Sequence, residues 1–135
     1  MTPAVGAAAP PLERNLELPD MVAYAGATWD WHRLHYDREW LDARGLERPV
    51  VDGQLFGAML AQVVQDWFGA SAVLTALHFR FKSLVFAGET VRCSATVTSV
   101  AGDLVTLDCR VDVVGADGGV DRVAVAPAGA EVRLR

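Results

Sequence analysis

One acid and one histidine lie five positions apart in an aromatic-rich segment, residues 28–37. Asp30 and His35 are residue types that can hold one water molecule between them and move its protons in both directions. Neither a helix nor a strand pattern joins them, so we expect a loop, and loops on a rigid frame often carry reactive groups. The pair predicts general acid/base chemistry on an uncharged bond. In the structural alternative, Asp30 begins a turn and His35 packs beneath Trp31 or Trp40.

A helix start supplies a second candidate site. Asp52 and Gly53 precede a long apolar pattern, and Asp is a favoured N-cap residue. Gly53 leaves the amides of the first turn open to close approach, and such amides can stabilise a developing oxyanion. The structural alternative is a capped helix with no further role.

A metal site has less support in the sequence. His32 is a second imidazole near Asp30 and His35, and Asp37 could supply a further ligand. However, the chain has neither an HxxxH nor a CxxC pattern. We therefore predict no metal and no other cofactor.

Several elements must position these residues. Residues 21–28 are small and apolar and fit either a strand or a short helix. A short helix is predicted after Asp37, with an end at Gly45. A longer helix is predicted from near Asp52 to a stop at Gly69. It is hydrophobic almost all round, which indicates that it is buried against a sheet.

The second half of the chain is typical of antiparallel strands. Alternating apolar residues predict strand regions at residues 73–81, 91–100, 104–114 and 120–134. The second and third form a hairpin, and the last is expected to break near Pro127. One buried helix followed by such strands indicates an α+β layer in which the sheet curls around the helix.

Bulk composition limits the possible classes of protein. The chain has 135 residues and 52% hydrophobic content, which suits one domain with a core. Residues 1–19, rich in Ala and Pro, are expected to form a flexible or extended segment outside the core, and residues 20–135 a single domain. The net charge of −5 without a basic stripe argues against nucleic acid. No apolar run approaches the roughly 18 residues of a membrane span.

The two cysteines indicate a reducing compartment. Cys93 and Cys109 fall on the two strands of the predicted hairpin. If an odd number of residues closes the hairpin, such as 101–103, they are diagonal neighbours roughly 7–8 Å apart. That distance is long for a disulfide. Two reduced core thiols and the lack of a signal-peptide pattern predict a cytoplasmic protein.

Two cationic residues alternate with aromatic ones. Arg80 and Lys82 are interleaved with Phe79 and Phe81. This pattern favours the polar side of a half-exposed strand. The functional alternative is a cationic rim for phosphate groups.

Together these segments resemble the MaoC-like hydratases, which include the (R)-specific enoyl-CoA hydratases and their dehydratase relatives. The family spacing of an Asp, four residues and a His is present at residues 30–35. Residues 32–37 are similar to the His-Arg-Ile-His-Tyr-Asp run of the mesaconyl-CoA hydratase-like branch. Residues 50–55 and 79–91 match the family's helix start and strand pair. A further likeness is to the small subunits of heteromeric steroid side-chain enoyl-CoA hydratases.

The resemblance implies a hot-dog fold, a long helix wrapped by a curved antiparallel sheet, over about residues 20–135. It implies a hydro-lyase that adds water reversibly to a trans-2-enoyl thioester of CoA or a carrier protein. By position, Asp30 would act as base on the water and His35 would hold that water and exchange the proton at C2. The amide of Gly53 would polarise the thioester carbonyl. The resemblance also implies a dimer joined edge to edge, with the site at the subunit junction.

The chain departs from the family pattern at several positions. The family's Gly before the Asp is Trp29 here, and its His-Gly at the helix start is Asp52 and Gly53. We expect Trp29 and Trp31 to reshape the acyl tunnel, and Asp52 to turn outward as a cap. The predicted substrate-binding residues are Trp29, Trp31, His32, Asp52, Arg80 and Lys82.

Two other functions remain open. A hot-dog thioesterase would need a carboxylate facing the thioester from the long helix, and Asp52 is the candidate because Asp66 lies near the far end. A non-catalytic thioester-binding subunit of a heteromeric hydratase is the other alternative. Because the chain keeps both Asp30 and His35, we favour the active role. We expect a homodimer, or a heteromer with a second hot-dog subunit.

Overall fold

The chain folds as a five-stranded antiparallel sheet that curls around one long helix. A computed structural model describes residues 3–135. Its elements are β1 (Leu12–Asn15), α1 (Leu18–Thr28), α2 (Arg38–Asp42), α3 (Gly53–Phe68), β2 (Ala72–Phe81), β3 (Thr90–Ala101), β4 (Leu104–Val114) and β5 (Val120–Leu134). The strand order is β1-β3-β4-β5-β2, so β1 and β2 are the sheet edges. This confirms the predicted α+β architecture.

Helix α3 is the central core element. Its buried residues recur at helical spacing and are Phe56, Gly57, Met59, Leu60, Val63, Val64 and Phe68. They pack against the alternate residues of β3 and β4 that face inward. The helix is capped by Asp52 and ends at Gly69, whose positive φ of 56° suits a residue without a Cβ. Within residues 3–135, no helix combines the length and apolar character needed to cross a membrane.

The β3–β4 hairpin has the predicted register, but the odd residue lies within strand β3 and not in the turn. Cys93 and Cys109 are free, buried and diagonal across the hairpin. The turn has two residues, 102–103, and a β-bulge between Val97 and Ser99 supplies the odd residue. Burial raises the pKa of Cys93 to about 12 and that of Cys109 to about 11. Both thiols therefore stay protonated at neutral pH.

The N-terminal segment differs from its prediction. Residues Leu12–Asn15 form β1, which pairs with the start of β3. Ala9 and Leu16 are buried in the core. The expectation that residues 1–19 lie outside the core is therefore wrong at these positions, and residues 1 and 2 lie outside the described residues. A proline-rich segment suits a sheet edge because an edge strand needs ladder hydrogen bonds on one side only.

The structure decides two points that the sequence left open: whether residues 21–28 form a helix or a strand, and where the last strand breaks. Residues 21–28 belong to α1, which begins with a capping box between Glu17 and Asp20. Strand β5 is one continuous strand rather than two. Its register shifts around Pro127, so the expected break is a β-bulge, where proline is tolerated inside a sheet.

The burial of the N-terminal segment can be tested with one pair of substitutions. Leu16→Ala should lower the free energy of unfolding by about 2–5 kcal/mol, because it removes a buried side chain from the core. Leu18→Ala, two residues later and 39% exposed, is the matched control and should change it by about 0.5 kcal/mol or less. Urea unfolding followed by circular dichroism measures both values. Equally small effects would contradict a buried N-terminal segment.

Candidate active site

Asp30 lies in the tight turn that leaves α1. Trp29 ends the helix in the left-handed conformation, with φ of 58°, and the N–H of Asp30 donates to the carbonyl of Ala25 at 3.1 Å. Oδ1 of Asp30 accepts a hydrogen bond from the N–H of His32 at 3.3 Å. This local turn orients the carboxylate toward the start of α3.

His35 closes a single 3₁₀ turn, Arg33–His35, and is buried. Its Nδ1 lies 2.7 Å from the carbonyl oxygen of Val50. Because a carbonyl can only accept, Nδ1 is the ring nitrogen that carries the proton in this contact. Val50 also donates its N–H to the carbonyl of Leu34 at 3.1 Å. The residue that leads into α3 therefore holds the His35 turn at two points.

Asp52 occupies the N-cap of α3. Its Oδ1 accepts from the N–H of Gln54 at 2.9 Å, as the sequence predicted. Its Oδ2 lies 3.9 Å from Nε2 of His35, and the residue is 8% exposed. The expectation that Asp52 turns outward is therefore wrong. Capping fixes one oxygen at the buried helix start, and this leaves the other oxygen facing the imidazole.

Asp30, His35 and Asp52 converge at the amino end of α3. One polar atom from each lies within 4.8 Å of the other two. A hydrogen bond between the side chains of Asp52 and Asp30 is the main cause that lowers the pKa of Asp30, and the N–H of His32 adds to it. The arrangement places two carboxyl groups beside one imidazole. The cluster can therefore hold and release a proton next to an imidazole nitrogen.

Asp37 does not join the cluster as a further metal ligand. Its carboxylate accepts from Nε of Arg33 at 2.6 Å and caps α2 through the N–H of Trp40 at 3.1 Å. His32 is also engaged, since its Nδ1 accepts from the N–H of Leu34 at 3.0 Å. The three clustered atoms lie at distances that a cation would accept. The expectation that the protein binds no metal stays a prediction.

A cavity of about 350 Å³ opens beside the cluster. His35 and Gly53 contribute to its wall, which is otherwise mostly apolar: Leu34, Val50, Val51, Phe56, Phe81, Leu84 and Val85, with Lys82 and Ser83 as polar members. Because Gly53 is the first residue of α3, helix geometry gives its N–H no intrahelical acceptor. A Cβ at this position would overlap the ring of Phe81. Glycine at this position therefore leaves room for the Phe81 ring beside the helix start.

One wall of the cavity is the loop that follows β2. Arg122 donates to Oε1 of Glu89 at 2.6 Å and to the carbonyl of Leu84 at 2.8 Å. The Arg122 guanidinium is the main cause that lowers the pKa of Glu89. Because Leu84 lines the cavity, this ion pair fixes the position of the wall.

Several residues predicted to bind substrate lie apart from this cavity. Among the described residues, the cavity wall does not include Trp29, Trp31, His32, Asp52 or Arg80. Asp30 of the predicted catalytic pair is likewise outside the wall, whereas His35 and Gly53 are part of it. Trp29 is 81% exposed and packs edge to face with Trp31. Arg80 lies on the exposed side of β2. Lys82 does line the cavity. The role of all six residues in substrate binding stays a prediction.

Tyr24 is a site neighbour that the sequence did not reveal. Tyr24 lies on α1 and is half-buried. Its pKa is raised by burial and by the nearby negative charges of Asp52 and Asp30. The signal was hidden because residues 21–28 fitted both a helix and a strand, and only the helix brings Tyr24 close to the cluster.

Comparisons with known proteins agree with this architecture. Residues 6–114 match the family described as MaoC like domain. The 3-oxo-4,17-pregnadiene-20-carboxyl-CoA hydratase beta subunit of Mycobacterium tuberculosis is 32% identical over 103 residues, covering 76% of this chain and 80% of that protein. The mitochondrial 3-hydroxyacyl-[acyl-carrier-protein] dehydratase of Arabidopsis thaliana is 37% identical over 73 residues. That match covers 53% of this chain but only 43% of that protein.

The solved structures give the same result for the fold. The ChsH1–ChsH2 complex from Mycobacterium tuberculosis contains a chain with a TM-score of 0.86 and 28% identity, covering 99% of this chain and 100% of that chain. The chain belongs to the MaoC-like domain family, and the predicted hot-dog fold is confirmed. Proteins of this family that resemble it are named as hydratases and dehydratases.

The hydrogen bonds of the two neighbouring histidines predict opposite tautomers. When both rings are neutral, His35 should carry its proton on Nδ1, which donates to Val50, and His32 on Nε2, because its Nδ1 accepts from Leu34. Long-range ¹⁵N–¹H correlation spectra measure this directly. His32→Gln and His35→Gln variants assign the signals. The same tautomer at both residues would contradict the geometry of the site.

Proposed function

We propose that this protein catalyses the reversible hydration of a 2-enoyl thioester to a 3-hydroxyacyl thioester, with Asp30 and His35 as the catalytic pair. The observation that carries the proposal is the convergence of these two side chains beside the amino end of α3. Membership of a family whose relatives are named hydratases and dehydratases supports the reaction class.

Each group has a chemical role in the proposed reaction. Asp30 accepts a proton from water as its oxygen attacks C3. With its lowered pKa, Asp30 is in the ionised, proton-accepting form at neutral pH, and this form is lost only as the pH falls through that lowered value. His35 holds the same water and exchanges the proton at C2. Its bond to Val50 leaves Nε2 as the nitrogen that does so.

The free amide of Gly53 would stabilise the charge that forms on the thioester oxygen. As C3 is attacked, electron density moves through the conjugated system to that oxygen and gives it enolate character. The N–H of Gly53 and the positive end of α3 are fixed before the reaction begins. Fixed dipoles of this kind stabilise the charged transition state more than the neutral ground state.

The cavity supports a compact apolar acyl group next to the cluster. Its volume of about 350 Å³ suits the reacting end of an acyl thioester, with the rest of the thioester carrier outside. Lys82 at the wall, and Arg80 two residues earlier, could receive phosphate groups of CoA or of a carrier-protein arm. Trp29, Trp31 and His32 would then contact the carrier or a longer acyl chain. Two free, buried cysteines support the proposed cytoplasmic location.

Removal of either member of the pair should abolish most of the activity. Asp30→Asn and His35→Gln are each expected to lower kcat by on the order of 10²–10⁴-fold, because each removes a proton-transfer group. The assay is the loss of conjugated absorbance across a panel of enoyl-CoA substrates of different length and shape. Asp42→Asn, an exposed acid paired with Arg38 in α2, is the matched control and should retain activity. Unchanged turnover in Asp30→Asn would remove that residue from the mechanism.

A hot-dog thioesterase is the second candidate function. The observation in its favour is that the Asp52 carboxylate faces into the site and not outward. A carboxylate there could activate water for attack on the thioester carbonyl. Free CoA, measured with a thiol reagent on the same substrates, separates the two reactions. Release of CoA without loss of enoyl absorbance would favour the thioesterase.

We propose that a second chain pairs with the edge strand β2. This strand is ten residues long, leads directly to the cavity wall, and lies at the sheet edge. A long edge strand can pair with a second chain, so a homodimer or a heteromer with a second hot-dog subunit would place the site at the junction. The ChsH1–ChsH2 complex is a two-component relative by its name. Native mass spectrometry of the purified chain, combined with the activity assay, distinguishes an active homodimer from a non-catalytic subunit. An inactive homodimer would support the non-catalytic subunit.

A further inference from the structure

Asp52 lies between the two groups that would exchange protons with the substrate. One of its oxygens is fixed by the helix cap, and the other faces Nε2 of His35 at 3.9 Å. A carboxylate oxygen of Asp30 also lies within 4.8 Å of one from Asp52. The residue is 8% exposed, so bulk water has little access to it. A buried acid that contacts both partners of a proton exchange can connect them.

We propose that Asp52 is a positioning residue that returns a proton from Asp30 to His35 after each turnover. This inference rests on the proposed hydration reaction. It concerns a residue that, by the sequence resemblance, replaces a histidine of the family pattern. The role is therefore proposed for this chain, and not as a general requirement of the fold.

The relay balances with a single mobile proton. During hydration, one O–H bond of water breaks, its proton passes to Asp30, and its oxygen bonds to C3. His35 gives its Nε2 proton to C2 and is left neutral, with the remaining ring proton on Nδ1. Asp52 then accepts the proton from Asp30 and passes one to Nε2 of His35. Both groups are restored, and dehydration follows the same steps in reverse.

The surroundings of His35 favour transfer at Nε2. Nδ1 is committed to the carbonyl of Val50, so Nε2 is the ring nitrogen that can exchange. The carboxyl groups of Asp30 and Asp52 face this side of the ring.

Three other titratable groups lie near the cluster of Asp30, His35 and Asp52. They are His32, whose ring centroid is 6.0 Å from that of His35, Lys82 on the cavity wall, and Tyr24 on α1. The gap of 3.9 Å between Asp52 and Nε2 exceeds a hydrogen bond. Such contacts commonly shorten when substrate fills the site.

The Asp52→Asn variant removes the acidic group of Asp52 but keeps the helix cap. Asn caps a helix as well as Asp does, and its amide can still donate to Asp30, but it has no acidic proton to pass on. We expect kcat to fall on the order of 10²-fold with KM nearly unchanged. Asp37→Asn is the matched control, because it makes the same change at the N-cap of α2, outside the cluster. It should keep wild-type kcat.

Asp52→Ser tests the missing carboxyl group directly. Ser also caps helices and leaves room for a small acid. Added formate should raise kcat of this variant by about tenfold or more, without a comparable effect on the wild type or on Asp37→Asn. The pH profile of kcat, recorded with and without formate, should return toward the wild-type shape. A purely structural role of Asp52 would give no such rescue.

Each result has a defined meaning. Wild-type kcat and an unchanged pH profile in Asp52→Asn would overturn the relay and leave the hydratase proposal intact. Loss of activity in both variants without rescue by formate would also overturn the relay, and it would assign Asp52 an electrostatic or packing role, because both variants keep the helix cap. A wild-type protein that hydrates none of the enoyl-CoA substrates would overturn both proposals.

Discussion

The two hydrogen bonds of Val50 are the interaction on which the candidate site depends. Its N–H donates to Leu34 and its carbonyl accepts from Nδ1 of His35. The next residue, Val51, donates to Val85 on the cavity wall at 2.8 Å. The chain leading into α3 is thereby tied to the histidine turn on one side and to the wall on the other. Because these are backbone contacts, the position of the imidazole relative to the helix start is set by the fold itself.

The start of a buried helix creates the polar site in an otherwise apolar region. Free amides at this end need acceptors, and Asp52 supplies one oxygen to them. Burial of that acid then favours a second polar partner for its remaining oxygen, since an unpaired buried charge is costly. His35 and Asp30 occupy this position. The electrostatic result is asymmetric: the pKa of Asp30 is lowered, whereas that of the neighbouring Tyr24 is raised.

The MaoC-like architecture explains why a small chain can hold such a site. The sheet covers α3 along its length, and the cavity opens only where the sheet edge reaches the first turn of the helix. The ion pair of Arg122 and Glu89 holds the loop at that point. Gly53 allows the ring of Phe81 to approach the helix without displacing the free amide. Core, cavity and polar cluster are consequences of one packing arrangement.

The sequence by itself determined α3, its cap, its stop and the register of the β3–β4 hairpin, because apolar period, capping residues and turn glycines act locally. It also singled out Asp30, His35 and Gly53. Only the tertiary structure decided that Leu12–Asn15 joins the sheet edge, that Asp52 faces inward and that Tyr24 lies near the cluster. Those outcomes depend on contacts between residues distant in the chain, where sequence periodicity gives no direction to a side chain.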